Sequence, residues 1–281
     1  MTMTLSRVGF GVVLAAAIFL TTVSFARAGD CGPKVPAGDL IKPGTLVMST
    51  NPTLPPLQYV DNSGTLKGMR IELGTDIAKR LCLVPDYIQI DFDAMIPGLQ
   101  TGRWDMINTG IFFTPARTKI MYMIPYENQA ISISIRNDEK GRITKPEDLS
   151  GKSVGVEIGG FEEAQTRALD AALRQKGMPG LTIHTFDTYA IAYQALAAAQ
   201  VDAVTSIDGV AEQYQAQGAF PRAVSGMDPT PVALAFKNKE LAEDVVAVLD
   251  AMKKDGSYDK LFAAYGVPPF TGGFKLYGPG L

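Results

Sequence analysis

Two rhythms of apolar and polar positions alternate along this chain. Short runs with strand character are separated by stretches in which apolar residues recur at helical spacing. The first half reads as strand Thr45 to Ser49, helix Ile71 to Leu81, strand Tyr87 to Ile90, helix Ala94 to Gln100 and strand Met106 to Thr109. After Lys145 the series repeats with strand Ser153 to Glu157, helix Glu162 to Arg174, strand Thr182 to Phe186, helix Ala190 to Ala199 and strand Ala203 to Ser206. Helical patterns at Lys239 to Lys254 and Tyr258 to Ala264 follow. Strict alternation of this kind predicts an α/β fold with mostly parallel strands.

One internal echo strengthens that reading. Leu99-x-x-Gly102-x-x-Asp105 is mirrored by Leu196-x-x-Ala199-x-x-Asp202, each at a helix end and each feeding a short strand that finishes in small polar residues. The motif is cheap, but its placement in both halves predicts two similar lobes. Open α/β sheets bind ligands beyond the carboxyl ends of their strands. Facing lobes would therefore put Asn108–Gly110 and Thr205–Asp208 on opposite walls of one cleft.

The ends and the composition narrow the setting. Arg7 precedes an almost wholly apolar run from Val8 to Val23, and Ala26-Arg27-Ala28 forms an A-x-A site, so residues 1–28 read as a secretory signal cut after Ala28. Asp30 before Cys31 argues against lipidation, which wants a small neutral residue there. No second long apolar segment follows, and the chain beyond the leader is expected to be soluble. A net charge of −3 without Lys/Arg runs gives no nucleic-acid footprint. Cys31 and Cys82 are the only cysteines, and in an exported chain they are expected to pair, pinning the N-terminal tail to a helix end.

The densest chemistry lies in GRWDMINTGIFFTPARTKIMYMIPY, Gly102 to Tyr126. Thr114-Pro115 reads as a helix start, N-cap then first helical residue, which puts Arg117 in the first turn. The helix dipole disfavours a cation there, so the arginine makes most sense if it shares the site with an anion, a carboxylate above all. This T-x-x-R segment resembles that of the family 3 extracytoplasmic solute-binding proteins, the amino-acid receptors of ABC importers. The resemblance extends to Gly44-Thr45-Leu46, Pro55-Pro56, Gly68-Met69-Arg70-Ile71-Glu72-Leu73, Met95-Ile96-Pro97-Gly98-Leu99, Asp148-Leu149-Ser150-Gly151-Lys152 and Asp255-Gly256-Ser257-Tyr258, in the family's order.

What the resemblance implies is a type II periplasmic binding protein fold: two Rossmann-like lobes with a hinge and an interlobe ligand cleft. Lobe 1 would be discontinuous, residues 29–131 and 235–281, and lobe 2 would be residues 132–234. The crossing strands are expected near Ala130–Ile135 and Pro231–Phe236. Arg117 matches the arginine that grips the ligand's α-carboxylate, and the partner would be the membrane permease, with ATP hydrolysis left to a separate chain. A monomer without cofactor is expected.

Several positions depart from the family's pattern. Phe112 stands where relatives carry Ser or Thr, Leu54 where an aromatic is common, and Gly159-Gly160-Phe161 where a Gly-Thr pair is usual. Asn51 occupies a loop that often carries aspartate in receptors for basic amino acids. The expected ligand-binding set is therefore Arg117, Gly110, Phe112, Asn51, Asp208, Gly160, Phe161 and Leu54, with Phe113 a further candidate. The Gly159-Gly160 turn would offer backbone N–H groups to an anion. The aspartate that holds an α-ammonium in many relatives falls on Ile207 in a gap-free match from Asp202, or on Asp208 with one extra residue. If Asp208 points inward an amino acid is accommodated; if it points out, an amine-free carboxylate is favoured.

The alternative is an enzyme. Some relatives on this fold are periplasmic dehydratases acting on arogenate or prephenate, and Glu162, Glu163 and Asp208 are conceivable acids for such a step. Other chemistries find no support: His184 is the only histidine, no Cys/His set has metal spacing, and no phosphate-binding G-x-x-x-x-G-K-[ST] loop occurs.

Overall fold

The computed structural model describes residues 31, 32 and 34–281; the expected leader, residues 1–28, lies outside them. Eleven strands and seven α-helices alternate along the described chain. In the first half, β1 (Thr45–Thr50), β5 (Val84–Gln89) and β6 (Met106–Phe112) run parallel, with α1 (Met69–Arg80) and α2 (Met95–Gln100) as crossovers. In the second half, β8 (Ser153–Glu157), β9 (Thr182–Phe186) and β10 (Ala203–Ile207) are parallel in turn, with α3 (Phe161–Gln175) and α4 (Tyr189–Ala197) between them. Between β1 and α1 a small meander is formed by β2 (Thr53–Leu54), β3 (Gln58–Val60) and β4 (Leu66–Lys67).

Two long strands join the halves. β7 (Tyr122–Ile135) and β11 (Arg222–Phe236) pair antiparallel with each other, and the large sheet has the order β5-β1-β6-β11-β7-β10-β8-β9. Both are longer than the expected crossing segments: residues 222–230, which carry no clear strand pattern, extend β11 along β7. The chain closes with α5 (Asp208–Ala216) before β11, and with α6 (Lys239–Asp255) and α7 (Ser257–Ala264) after it.

The continuous apolar character of the parallel strands is explained by burial on both faces. Leu46 and Met48 of β1 pack with Leu73 and Ile77 of α1. Val47, pointing the other way, packs with Met95, Leu99 and Trp104 around α2. In the second half Val154 and Val156 of β8 pack with Leu173 of α3.

The sequence echo is structural. Gly102 and Ala199 both adopt left-handed backbone, at φ 73° and 56°. After each, the amide of the next residue turns back to a helix carbonyl, Arg103 to Gly98 and Gln200 to Ala195, both at 2.9 Å. Each aspartate then secures its half's first strand. Asp105 accepts from the Val47 and Ile41 amides, both at 2.8 Å, and Asp202 from the Ser153 amide and hydroxyl, both at 2.8 Å.

One expectation needs adjusting and another is met. Thr114-Pro115 starts no α-helix: only a 3-10 turn, Arg117–Lys119, fits before the chain enters β7 at Tyr122. Thr114 Oγ1 still accepts from the Arg117 amide at 3.3 Å, so the cap exists without a helix long enough for a macrodipole. Cys31 and Cys82 are disulfide-bonded, as expected. Cys82 follows α1, whose C-terminal Leu81 carbonyl also accepts from the Lys34 amide at 3.2 Å.

Candidate functional site

The carboxyl ends of β1, β6, β8 and β10 converge on one narrow cavity, closed down to about 10 Å³. Asn51, Leu54, Phe92, Thr109, Gly110 and Phe112 form the wall contributed by the first half. Glu157, Gly160, Phe161, Glu162, Tyr189 and Ile207 form the wall contributed by the second.

The first wall is fixed from below by a buried polar network. The Asn51 amide donates to Thr109 Oγ1 at 2.9 Å, and Gln58 Nε2 donates to the Thr109 carbonyl at 2.6 Å. Arg70 Nη1 reaches the same carbonyl and Gln58 Oε1, both at 3.0 Å. Gly110, at φ 85°, lies against the Arg70 guanidinium, which occupies the space where a Cβ would stand. Glycine is thus required at this strand position for two separate reasons.

Three contacts bridge the walls. Asn51 Nδ2 donates to Glu157 Oε1 at 2.9 Å, and Asn51 is held in that orientation by Thr53 Oγ1, which donates to its Oδ1 at 2.8 Å. Phe112 and Phe161 meet with ring centroids 4.6 Å apart. Arg117 donates from Nη1 to the Phe112 carbonyl at 2.9 Å and from Nη2 to the Gly159 carbonyl at 3.2 Å. Its guanidinium also lies over the Phe92 ring, 5.5 Å from the centroid.

The electrostatics of the second wall are unusual. Glu157 and Glu162 are 3% and 1% exposed. Burial raises the Glu157 carboxyl well above its ordinary value, and the nearby Glu162, Asp91 and Asp93 push it the same way. Burial also raises Glu162, opposed by the hydrogen bond it accepts from Tyr189 Oη and by the charge of Arg117. Burial lowers Arg117 from its usual value, partly offset by Glu162.

Of the residues expected from sequence, Asn51, Leu54, Gly110, Phe112, Gly160 and Phe161 line this cavity. Arg117 borders it through its bond to Phe112. Asp208 does not belong to it. At the start of α5 it accepts from Ser132 Oγ and from Arg222 Nη1, the latter at 3.1 Å, and it lines a separate groove with Pro56, Gln129 and Tyr265. Ile207, one residue earlier and at the end of its strand, takes the inward position. Phe113 also points away, packing on Tyr277 with centroids 4.9 Å apart.

The Gly159-Gly160 amides are already engaged. Gly159 N–H donates to Glu163 Oε2 at 2.7 Å and Gly160 N–H to the Glu157 carbonyl at 3.3 Å. Gly160 instead gives room, since a Cβ there would press on the Glu162 carboxyl at 2.6 Å. Glu157, Tyr189 and Phe92 were not in the expected set. The signal for Glu157 was available: a charged residue closing an otherwise buried parallel strand sits where ligands bind.

Strand ends of two α/β halves, joined by paired crossing strands and closing on a small mixed polar–aromatic cavity, define a two-lobe small-molecule binding protein. The chain belongs to the bacterial extracellular solute-binding proteins, family 3, which it matches over residues 46–268. It is 28% identical to the L-cystine-binding protein TcyJ of Escherichia coli (strain K12) over 229 residues, covering 78% of this chain and 81% of the relative. Among solved structures it resembles an ancestral arginine-binding protein bound to arginine, with a TM-score of 0.73 and 32% identity, covering 79% of this chain and 98% of that one. It also resembles the ancestral amino acid-binding protein AncCDT-1, a precursor of cyclohexadienyl dehydratase, with a TM-score of 0.71 and 29% identity, covering 79% and 95%.

Proposed function

We propose that this chain is the periplasmic receptor of an ABC importer, binding an amino acid or related small carboxylate in the cavity and presenting it to the membrane permease. The observation that carries the reading is Arg117. Its guanidinium spans the two walls on carbonyl acceptors alone and has no carboxylate within ion-pair distance among the described residues, which suits it to a ligand carboxylate. Residues 1–28 act as the export signal, cut after Ala28. Lobe 1 comprises residues 29–131 and 235–281, and lobe 2 residues 132–234. Closure of the lobes on the ligand follows from its higher affinity for the closed form, and the protein acts as a monomer.

A thermal-shift screen of unfolded and refolded protein tests the reading, with L-amino acids and their deaminated acids as the panel. A ligand at 100 times its Kd stabilises the fold by about 2.7 kcal/mol. A panel without any hit overturns it.

One observation favours a second reading, a dehydratase. Glu162 is a buried carboxyl with a raised pKa bordering an aromatic cavity, as a general acid requires. Phenylpyruvate formed from prephenate, followed by its ultraviolet absorbance in base, separates the two.

A further inference from the structure

Two other carboxylates, one fully buried and one partly, have a cation to match them, while buried Asp105 is met by the backbone amides of Ile41 and Val47. Glu127, fully buried, is gripped by Arg70. Glu163, one residue beyond Glu162, pairs with Arg167. Glu157 and Glu162 are different. Both are buried, both line the cavity, and each is hydrogen-bonded to a neutral partner, Asn51 for one and Tyr189 for the other. Neither has an ion-pair partner within 4.0 Å among the described residues; the cation nearest in effect is Arg117, which spends its bonds on carbonyls. Burying a carboxylate without a matching charge is costly, and the cost is removed either by a proton or by a cation brought in from outside.

With both glutamates ionised, charge balance constrains the guest. The cavity and its rim hold one positive group, Arg117, against two negative ones. Asp91 and Asp93 add negative potential on the side of Glu157, and Glu163 on the side of Glu162. Asp208, the other candidate for an ammonium, is turned away and paired with Arg222. An amine-free carboxylate would bring a further negative charge into this setting. A zwitterionic amino acid would still leave one excess carboxylate. A ligand with one carboxylate and two cationic groups leaves the assembly neutral.

Resting on the receptor reading above, we infer that Glu157 and Glu162 are the specificity-determining residues of this cavity and that its ligand is a dibasic amino acid. Arg117 takes the carboxylate, and the two glutamates take the α-ammonium and the side-chain cation. Asn51, on the opposite wall, orients the Glu157 carboxyl through its hydrogen bond.

The test compares L-arginine with L-citrulline, which has nearly the same shape and a neutral side-chain end. Calorimetry on refolded wild-type protein should show arginine binding at least tenfold tighter than citrulline. Glu157→Gln and Glu162→Gln, near-isosteric and checked for unchanged circular dichroism, should each weaken arginine at least tenfold and bring the two ligands closer in affinity. The arginine binding enthalpy should also differ between Tris and phosphate, because the ligand displaces protons from the glutamates, and the difference should shrink in the variants. Citrulline binding as tightly as arginine to wild type overturns the inference, as does an unchanged preference in both variants. If wild type binds other amino acids or amine-free acids but neither of these two, the specificity inference falls and the receptor reading stands. If nothing in the wider panel binds, both fall.

Discussion

Arg70 grips Glu127 at both ends of its guanidinium, Nε to Oε2 and Nη2 to Oε1, each at 2.9 Å, with neither side chain exposed. Burial opposes the charge on Arg70, but Glu127 together with Tyr126 and Tyr189 outweighs it, and the pKa of Arg70 is raised. Gln129 Nε2 adds a bond to Glu127 at 2.5 Å. The pair joins the first turn of α1 to the middle of β7. Removing one partner strands a buried charge, so Arg70→Met should cost about 3–5 kcal/mol in chemical denaturation. A loss below about 1 kcal/mol would show the pair to be energetically idle.

The left-handed backbone at Ala199 has a glycine counterpart at Gly102. A Cβ in that conformation costs on the order of 1 kcal/mol. Ala199→Gly should recover part of it, raising stability by about 0.5–1 kcal/mol after the extra chain entropy of glycine is counted. A lower melting temperature in this variant would mean that the methyl packs favourably enough to outweigh the strain.

Arg117 and Asp208 should separate cleanly in binding. Arg117→Ala is expected to weaken a carboxylate ligand by about 2–5 kcal/mol, the range for breaking a desolvated charge pair. Asp208→Asn should leave affinity within about threefold, a shift under roughly 0.7 kcal/mol. Its effect belongs to stability through the half-exposed pair with Arg222, worth about 1 kcal/mol at most. Calorimetry on the two variants decides this, and strong loss in Asp208→Asn would return that carboxylate to the cleft.

Burial holds the Glu157 carboxyl well above the ordinary glutamate value of 4.5. In the gap between the unfolded and folded values the native state binds the extra proton, so the contribution of Glu157 is full below pH 4.5 and is lost as pH rises through the folded value. Glu157→Gln should therefore stabilise the ligand-free protein above that window and flatten the fall of its melting temperature with pH. Parallel melting-temperature profiles for variant and wild type would contradict this assignment.

The regular elements were legible because period and burial agree. β8 and β9 match the expected bounds at both ends, and the helices differ by a residue or two. Residues 222–230 escaped because Gly226 and Pro229 interrupt the alternation that marks a strand, and register irregularities in the pairing with β7 absorb them. Gly110 was legible from a strand end, whereas Asn51, Phe112, Gly160 and Phe161 came from the family resemblance and its departures. The turn of Asp208 was not. A shift of one residue at a strand end exchanges faces, and only the partners Ser132 and Arg222, distant in sequence, decide which side wins. Tyr189 falls one residue before the expected helix, and nothing local distinguishes a tyrosine in a core from one donating to Glu162.

The place of β11 in the sheet has a consequence for biogenesis. β6 is flanked by β1 on one side and by residues 232–236 of β11 on the other. A chain emerging from a translocation pore presents β6 long before that second neighbour arrives, while β8, β9 and β10 can assemble without it. The first half must therefore wait with an unpaired apolar strand edge, the kind of surface that recruits other chains. Truncation before Arg222 should yield a product that aggregates through this edge, and export should draw on holding chaperones until β11 has been delivered.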